Sequence, residues 1–237
     1  MANLLVFDTS TEWCSAAVIS EQGRFHVAKQ QPRKHAQLLM PMIDDVMKQA
    51  QMIPAQLDGI AFGKGPGSFT GLRIAISVAQ GLCLASGAKA LGISTLQALA
   101  WQTMQTHPCK QVLASINAHM GEVFYGGYRA TEGAPEAIVA DGLCKPEAFD
   151  FNQFDQPEQW FGAGDGLALL KDSMPEKVAD LSSADAELAP LAAQMLDLAI
   201  VAWQRGEFTD IDQQQPVYLR DSVAWKKLSE QPSLLKK

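Results

Sequence analysis

The chain has 237 residues, of which 47% are hydrophobic and 19% charged, and its formal net charge is −7. This length and composition predict a globular protein with one large domain or two lobes. The negative balance argues against the chain as the main surface for a nucleic acid, because phosphate binding depends on clustered Lys and Arg.

The cysteines and the N-terminus indicate a reducing compartment. Cys14, Cys83, Cys109 and Cys144 are scattered, without a Cys-x-x-Cys pair, and this usage is typical of proteins that keep their thiols reduced. The first residues lack the basic start and long apolar core of a signal peptide. We therefore expect a cytoplasmic protein.

Strand and helix patterns alternate over the first hundred residues. Apolar runs predict strands at 4–7, 16–20 and 25–30, followed by an amphipathic helix at 35–50. Pro41 lies inside this helix, so we expect either a helix start near Leu39 or a kink. Strands predicted at 59–62 and 89–91 each precede a helix, which indicates parallel pairing.

The segment 63–87 combines a glycine-rich loop with a helix. Ser68 or Thr70 is the expected N-cap of this helix and Gly87 its left-handed C-cap. The helix is apolar on two faces, whereas a helix that covers a sheet on one side normally has a polar opposite face. The second face is therefore either buried in the core or covered by a partner. A membrane span is disfavoured because the uncharged run is shorter than about 20 residues.

The second half repeats the order of the first. His107 and Pro108 break the helical pattern, so we place a boundary there between lobes at 1–107 and 108–237. Apolar runs then predict strands at 112–116, 123–128, 137–140 and 159–161, a helix after Pro146 and a long helix at 184–205. Three strands, helix, strand and helix thus occur twice. The sequence predicts an α/β fold with two duplicated lobes.

No complete catalytic or metal-binding motif is visible. The glycine loop has neither Walker nor Rossmann spacing, and the four histidines stand far apart without a His-x-x-x-His pair. Ser68 does not lie in a Gly-x-Ser-x-Gly motif. Asp8, Thr9 and Thr11, at the end of the first strand, either hold a phosphate or close a hairpin, and the residues alone favour the hairpin.

Several motifs resemble the bacterial TsaB (YeaZ) family. They are Gly-Pro-Gly-Ser-Phe-Thr-Gly-Leu-Arg at 65–73, Gly-Glu-Val-Phe-Tyr at 121–125, and the pair Pro-Val-Tyr-Leu-Arg at 216–220 and Val-Ala-Trp-Lys-Lys at 223–227. The resemblance spans most of the chain. It implies the fold of the actin-like, Hsp70-like and sugar-kinase-like (ASKHA) ATPases, and a function in forming N6-threonylcarbamoyladenosine (t6A) at position 37 of tRNAs that read codons beginning with A.

The same resemblance implies a non-catalytic scaffold subunit. Its implied partners are the metal-bearing transferase TsaD in a heterodimer, the ATPase TsaE in the larger complex, and a second copy when the chain is alone. It implies only indirect contact with tRNA, no membrane and no metal of its own. The implied contact surface lies on the helices near 35–50 and 71–87, at His35, Leu39, Met42, Ile43, Val46, Leu72, Ile74, Ala75, Val78 and Leu82.

Nucleotide binding is expected to be weak for the chain alone. ASKHA ATPases usually carry a glycine where Ser10 stands, so no cofactor is assigned to this chain, and ATP or ADP at the complex interface is left open. The candidate nucleotide or anion contacts are Asp8, Thr9, Thr11, Ser68 and Arg73. An ATP-dependent small-molecule kinase of the same fold is the alternative function. A peptidase has no ligand set in this sequence.

Overall fold

The computed structural model describes residues 2–220 of the chain. Up to residue 106 the elements are β1 (Leu4–Asp8), β2 (Trp13–Ser20), β3 (Gly23–Gln30), α1 (His35–Gln49), β4 (Gly59–Gly65), α2 (Phe69–Ser86), β5 (Lys89–Ser94) and α3 (Thr95–Thr106). Their strands form a sheet in the order β3-β2-β1-β4-β5. β2 is antiparallel to both neighbours, whereas β1, β4 and β5 are parallel, as predicted for the strands joined by helices.

A second sheet of five strands follows. Its elements are β6 (Gln111–His119), β7 (Glu122–Arg129), β8 (Glu136–Cys144), β9 (Trp160–Ala163), α4 (Gly166–Ser173), α5 (Pro175–Ala179), β10 (Ser183–Asp185) and α6 (Ala192–Gln204). The strand order β10-β9-β6-β7-β8 has β6 at its centre, as β1 is at the centre of the first sheet. β7 is antiparallel to both neighbours and β9 is parallel to β6 and β10. The two halves therefore share one topology.

Two helix predictions in the second half are wrong. No α-helix follows Pro146; short 3-10 turns at Pro146–Ala148, Phe151–Gln153 and Pro157–Gln159 take its place, because prolines remove donors from the helical ladder. The helix predicted at 184–205 begins only at Ala192, since Pro190 disfavours helical backbone before it. Neither α4 nor α5 is among the predicted helices.

The helices exchange between the two sheets. α3 packs on the second sheet, where Leu96, Leu99 and Ala100 join the core of β6. α6, near the end of the described chain, packs on the first sheet, where Met195 and Leu196 join the core of β1. The predicted division after residue 107 separates the strands of the two sheets, but α3 and α6 each lie on the sheet of the other half.

Helix α2 has the predicted ends. Ser68 is the N-cap, with its Oγ accepting from the Gly71 N–H at 3.2 Å, and Gly87 is the C-cap with a φ of 77°. With 18 residues and a mean hydropathy of 1.3, α2 is long and apolar enough to cross a membrane, a property that core helices share. Here its inner face, including Leu72, packs against the first sheet, which makes α2 a layer helix of the fold.

Helix α1 begins before its proline. The helix starts at His35, so the alternative start near Leu39 is wrong, and Pro41 lies inside it. The sequence motif at 223–227 lies outside the described residues, whereas 216–220 lies within them.

The exchanged helices lead to a prediction about fragments. A fragment of residues 1–107 should not form a cooperative fold, because without α6 the faces of Leu4, Val6 and Ile19 lose their apolar cover. Amide proton dispersion in an NMR spectrum measures this. Co-expression with residues 108–237 is the matched control and should restore the native spectrum. A well-dispersed spectrum from 1–107 alone would contradict the role given to α6.

Candidate functional site

The turn that follows β1 is the first candidate region. Asp8, Thr9 and Ser10 are buried, and Ser10 donates to one Asp8 carboxylate oxygen from its N–H at 3.1 Å and from its Oγ at 2.8 Å. The other oxygen, Oδ1, has no hydrogen-bond partner within residues 2–220. Burial raises the pKa of Asp8 to about 6, and the hydrogen bonds from Ser10 oppose this rise.

The glycine loop before α2 packs directly over this turn. The Ser68 N–H donates to the Ser10 carbonyl at 2.7 Å, and the Thr9 Oγ1 donates to the Gly71 carbonyl at 2.8 Å. Gly71 has to be glycine, because a Cβ there would overlap the Thr9 carbonyl oxygen. The loop therefore closes the turn with groups of the same chain.

The five predicted anion contacts are not brought together. Asp8 and Thr9 are buried beneath the loop and are not exposed in the cleft, and their role as nucleotide contacts stays a prediction. Thr11 and Ser68 line the cleft between the two sheets. Arg73 projects from the exposed side of α2, outside that lining. A role of Thr11, Ser68 and Arg73 toward an anion stays a prediction.

The cleft itself has a volume of about 920 Å³. Its charged lining consists of the carboxylates of Glu12 and Asp165 and the guanidinium of Arg33, with the imidazoles of His35 and His119 beside them. A triphosphate is bound best where cations cluster. Two carboxylates beside one guanidinium make a site that is poorly suited to a triphosphate.

The apolar stripe of α1 is core. Leu39, Met42, Ile43 and Val46 are each less than 5% exposed and pack in the core between α1 and the first sheet. These side chains cover the helix's own sheet, as the apolar stripe of an amphipathic helix does, and partner contact at α1 stays a prediction. His35, with 9% of its surface exposed, is buried as well.

The remaining predicted contacts lie on α2, where some are buried and others are half-buried. Leu72 and Ala75 are buried in the core, like the apolar stripe of α1. Ile74, Val78 and Leu82 are half-buried and pack against the edge of the same core. Further out, Leu84 is 89% exposed. The outer face of α2 thus combines apolar and small residues with Arg73, Ser77 and Gln80, and nothing in the described part of the chain covers it.

Sequence reasoning missed an apolar groove beside the start of α2. The groove has a volume of about 320 Å³ and lies between the first turn of α2, the end of β6 and the segment 217–220. Phe69 and Tyr218, with ring centres 5.2 Å apart, form its rim, and both are more than 40% exposed. The motif at 216–220 was the signal in the sequence, but it does not reveal which surface it lines.

Arg220 fastens the end of the described chain to the β6–β7 turn. Its Nε donates to the Glu122 carboxylate at 3.0 Å, and a second nitrogen donates to the carbonyls of Ala118 and His119 at 3.2 and 3.3 Å. His119 and Met120 both have positive φ, a backbone conformation unusual for their residue types. The guanidinium therefore holds a strained turn in place at the edge of the groove.

Metal-ligating side chains do not converge anywhere in residues 2–220, where no group of three His, Cys, Asp or Glu side chains is placed to hold an ion. His107 instead lies 3.2 Å from the Asp185 carboxylate and stacks on Phe161. These contacts give His107 a structural role where α3 ends.

Comparisons with known proteins identify the family. Residues 25–228 match the family model described as TsaD, tRNA N6-adenosine threonylcarbamoyltransferase. The tRNA threonylcarbamoyladenosine biosynthesis protein TsaB of Escherichia coli is 34% identical over 229 residues, with 95% of this chain and 97% of the relative covered. The chain belongs to the TsaB family. The protein of the same name from Haemophilus influenzae is also 34% identical, with coverage of 95% and 96%.

A solved TsaB-family structure has the same fold. The structure named YeaZ from Pseudomonas aeruginosa superimposes with a TM-score of 0.85 at 39% identity, covering 92% of this chain and all of that one. The predicted resemblance to the TsaB family and the predicted α/β fold of two related halves are confirmed.

The buried Asp8 leads to a pH prediction. The pKa of Asp8 is raised from 3.8 to about 6 in the folded state. The contribution of Asp8 to the free energy of unfolding is therefore most favourable below pH 4 and is lost as the pH rises through 6. Asp8→Asn should therefore be more stable than the unmodified chain at pH 7.5, by up to about 3 kcal/mol, and equal to it near pH 4. Urea unfolding at a series of pH values measures the difference.

Asp172→Asn is the matched control, because Asp172 is an exposed carboxylate on α4. It should change stability little at any pH. A stability difference for Asp8→Asn that stays constant from pH 4 to 7.5 would contradict the raised pKa.

Proposed function

We propose that this TsaB-family chain is a non-catalytic scaffold subunit in the formation of N6-threonylcarbamoyladenosine on tRNA. In this role it activates a TsaD-type transferase by binding it. The names of the relatives support the pathway, and the match to a TsaD family model supports a common ancestry with the transferase. The observation that carries the proposal is the outer face of α2, which exposes Leu84 and a row of small residues and which nothing in residues 2–220 covers.

The outer face of α2 suits a packed helix from a partner. Ser77, Gly81 and Ala85 follow one another at four-residue spacing and are exposed, and small residues let another backbone approach closely. Beside them, Val78 and Leu82 supply half-buried apolar edges. Together they offer apolar area whose burial stabilises a complex.

The surface of α1 next to this face extends it. Leu38 is half-buried and packs against the same core as Ile74 and Val78 of α2, and Met40 is 47% exposed. We therefore replace the buried residues Leu39, Met42, Ile43 and Val46 in the proposed surface by these exposed neighbours. The two helices stay as predicted, but the contacting side chains differ.

The remaining partners follow from the same proposal. With a net charge of −7 the chain is a weak surface for tRNA, so we propose that the transferase provides the tRNA contacts. We propose that the same helix face pairs two copies when the transferase is absent, that TsaE joins the assembled complex, that ATP or ADP binds at the interface of the complex, and that the protein works in the cytoplasm.

The cleft of about 920 Å³ supports a second candidate, the ATP-dependent small-molecule kinase. Its mixed charges and the sealed Asp8–Ser10 turn weigh against it. Calorimetric titration of the chain alone with Mg-ATP separates the two candidates. Tight binding would favour the kinase, and heat changes no larger than dilution would favour the scaffold.

Gly81 gives a sharp test of the proposed surface. A Cβ at Gly81 meets no atom within 4 Å, so Gly81→Arg leaves the fold intact while placing a charge in the middle of the contact. We expect the affinity for the TsaD-type transferase to fall about 100-fold or more, because a buried unpaired charge costs several kcal/mol. Light scattering of the mixture, with a titration by interferometry, measures the loss. Normal binding by Gly81→Arg would refute the α2 surface.

Gly81→Ala is the matched variant. It should keep binding and raise the melting temperature by about 2–4 °C, since alanine is favoured over glycine inside a helix by about 1 kcal/mol. Melting temperatures from calorimetry on both variants distinguish loss of the binding surface from loss of the folded structure. A lowered melting temperature for Gly81→Ala would mean that this position is not the open helical site described above.

A further inference from the structure

We propose that the chain's own C-terminal segment, residues 221–237, docks in the apolar groove beside α2 and seats Trp225 there. The groove is the surface rimmed by Phe69 and Tyr218 and closed at its end by the Arg220–Glu122 pair. This inference does not depend on any partner and is independent of the proposed scaffold role.

The position at which the described chain ends is the first argument. Segment 217–220 itself lines the groove, and Arg220 is fixed to the β6–β7 turn at its edge by three hydrogen bonds that reach Glu122, Ala118 and His119. The 17 residues that follow therefore start at the groove. Trp225 is five residues further on, within a reach of about 17 Å for extended chain.

The chemistry of the groove is the second argument. Its rim exposes Phe69, Tyr218 and the adjoining Met120, which is 72% exposed and whose sulfur lies 3.5 Å from an Arg220 nitrogen. Exposed apolar groups in one patch indicate a surface that is covered by something. The volume of about 320 Å³ accommodates one aromatic side chain and little more, and an indole buries more apolar area than any other side chain.

Charge complementarity is the third argument. Four lysines and two acidic residues give the side chains of 221–237 a net charge of +2. Because the whole chain has a net charge of −7, residues 1–220 have a net charge of −9. The groove shares Ser68 and His119 with the large cleft, whose lining includes Glu12 and Asp165. The opposite net charges of the segment and of the rest of the chain therefore favour their association.

Tryptophan fluorescence tests the docking in the full-length chain. Subtracting the emission of Trp225→Phe from that of the unmodified chain isolates the signal of Trp225 among the five tryptophans. We expect this signal at a shorter wavelength than that of a synthetic peptide of residues 221–237, and shielded from acrylamide. Difference emission identical to that of the free peptide would overturn the proposal.

Groove variants locate the docking site. Phe69→Ala and, separately, Tyr218→Ala should shift the Trp225 signal toward that of the free peptide. Leu84→Ala removes a side chain that is 89% exposed near the other end of α2, and it should leave the Trp225 signal unchanged. Each variant is also made together with Trp225→Phe, so that the Trp225 signal can be obtained by subtraction. Near-ultraviolet circular dichroism checks that each variant is folded. Shielding that survives both groove variants would overturn the assignment to this groove.

A concentration series separates docking within one chain from docking between two. Binding within one chain leaves the Trp225 signal independent of protein concentration, because the local concentration of the segment is set by its short connection. Shielding that increases with concentration, together with a rising mass by light scattering, would mean that the segment binds a second copy and would overturn the proposal.

Discussion

The closure of the turn after β1 by the glycine loop is the contact on which the rest of the structure depends. The Ser68 N–H donates to the Ser10 carbonyl, and the Gly71 carbonyl accepts from the Thr9 hydroxyl. This close approach is sterically allowed because Gly71 has no Cβ. The same loop fixes the start of α2, since Ser68 is also its N-cap. One close approach therefore closes the turn and sets where the outer face of α2 lies.

Sealing this turn has a consequence for function. The chain keeps the two-sheet architecture and a large cleft between the sheets, yet the side chains at the end of β1 are turned to internal contacts, with Asp8 held in the interior. Within residues 2–220, nothing covers the outer face of α2.

The exchange of α3 and α6 makes the two halves interdependent. Each sheet needs apolar cover on both faces, and each receives one covering helix from the other half. Ala192 at the start of α6 donates its N–H to the Ser15 Oγ of β2 at 2.9 Å, which ties this exchange to a specific register. The two halves are therefore packed against each other through these helices.

The sequence by itself determined the strands around β1 and β6, both ends of α2 and the family, because apolar periodicity, caps and motif spacing are local properties. Only the tertiary structure decided which apolar residues are core and which are surface. Leu39 and Val46 look the same in sequence as Val78 and Leu84, but the first pair lies under the sheet and the second does not. Likewise, Arg220 and Glu122 meet across 98 residues, a contact that no local pattern encodes.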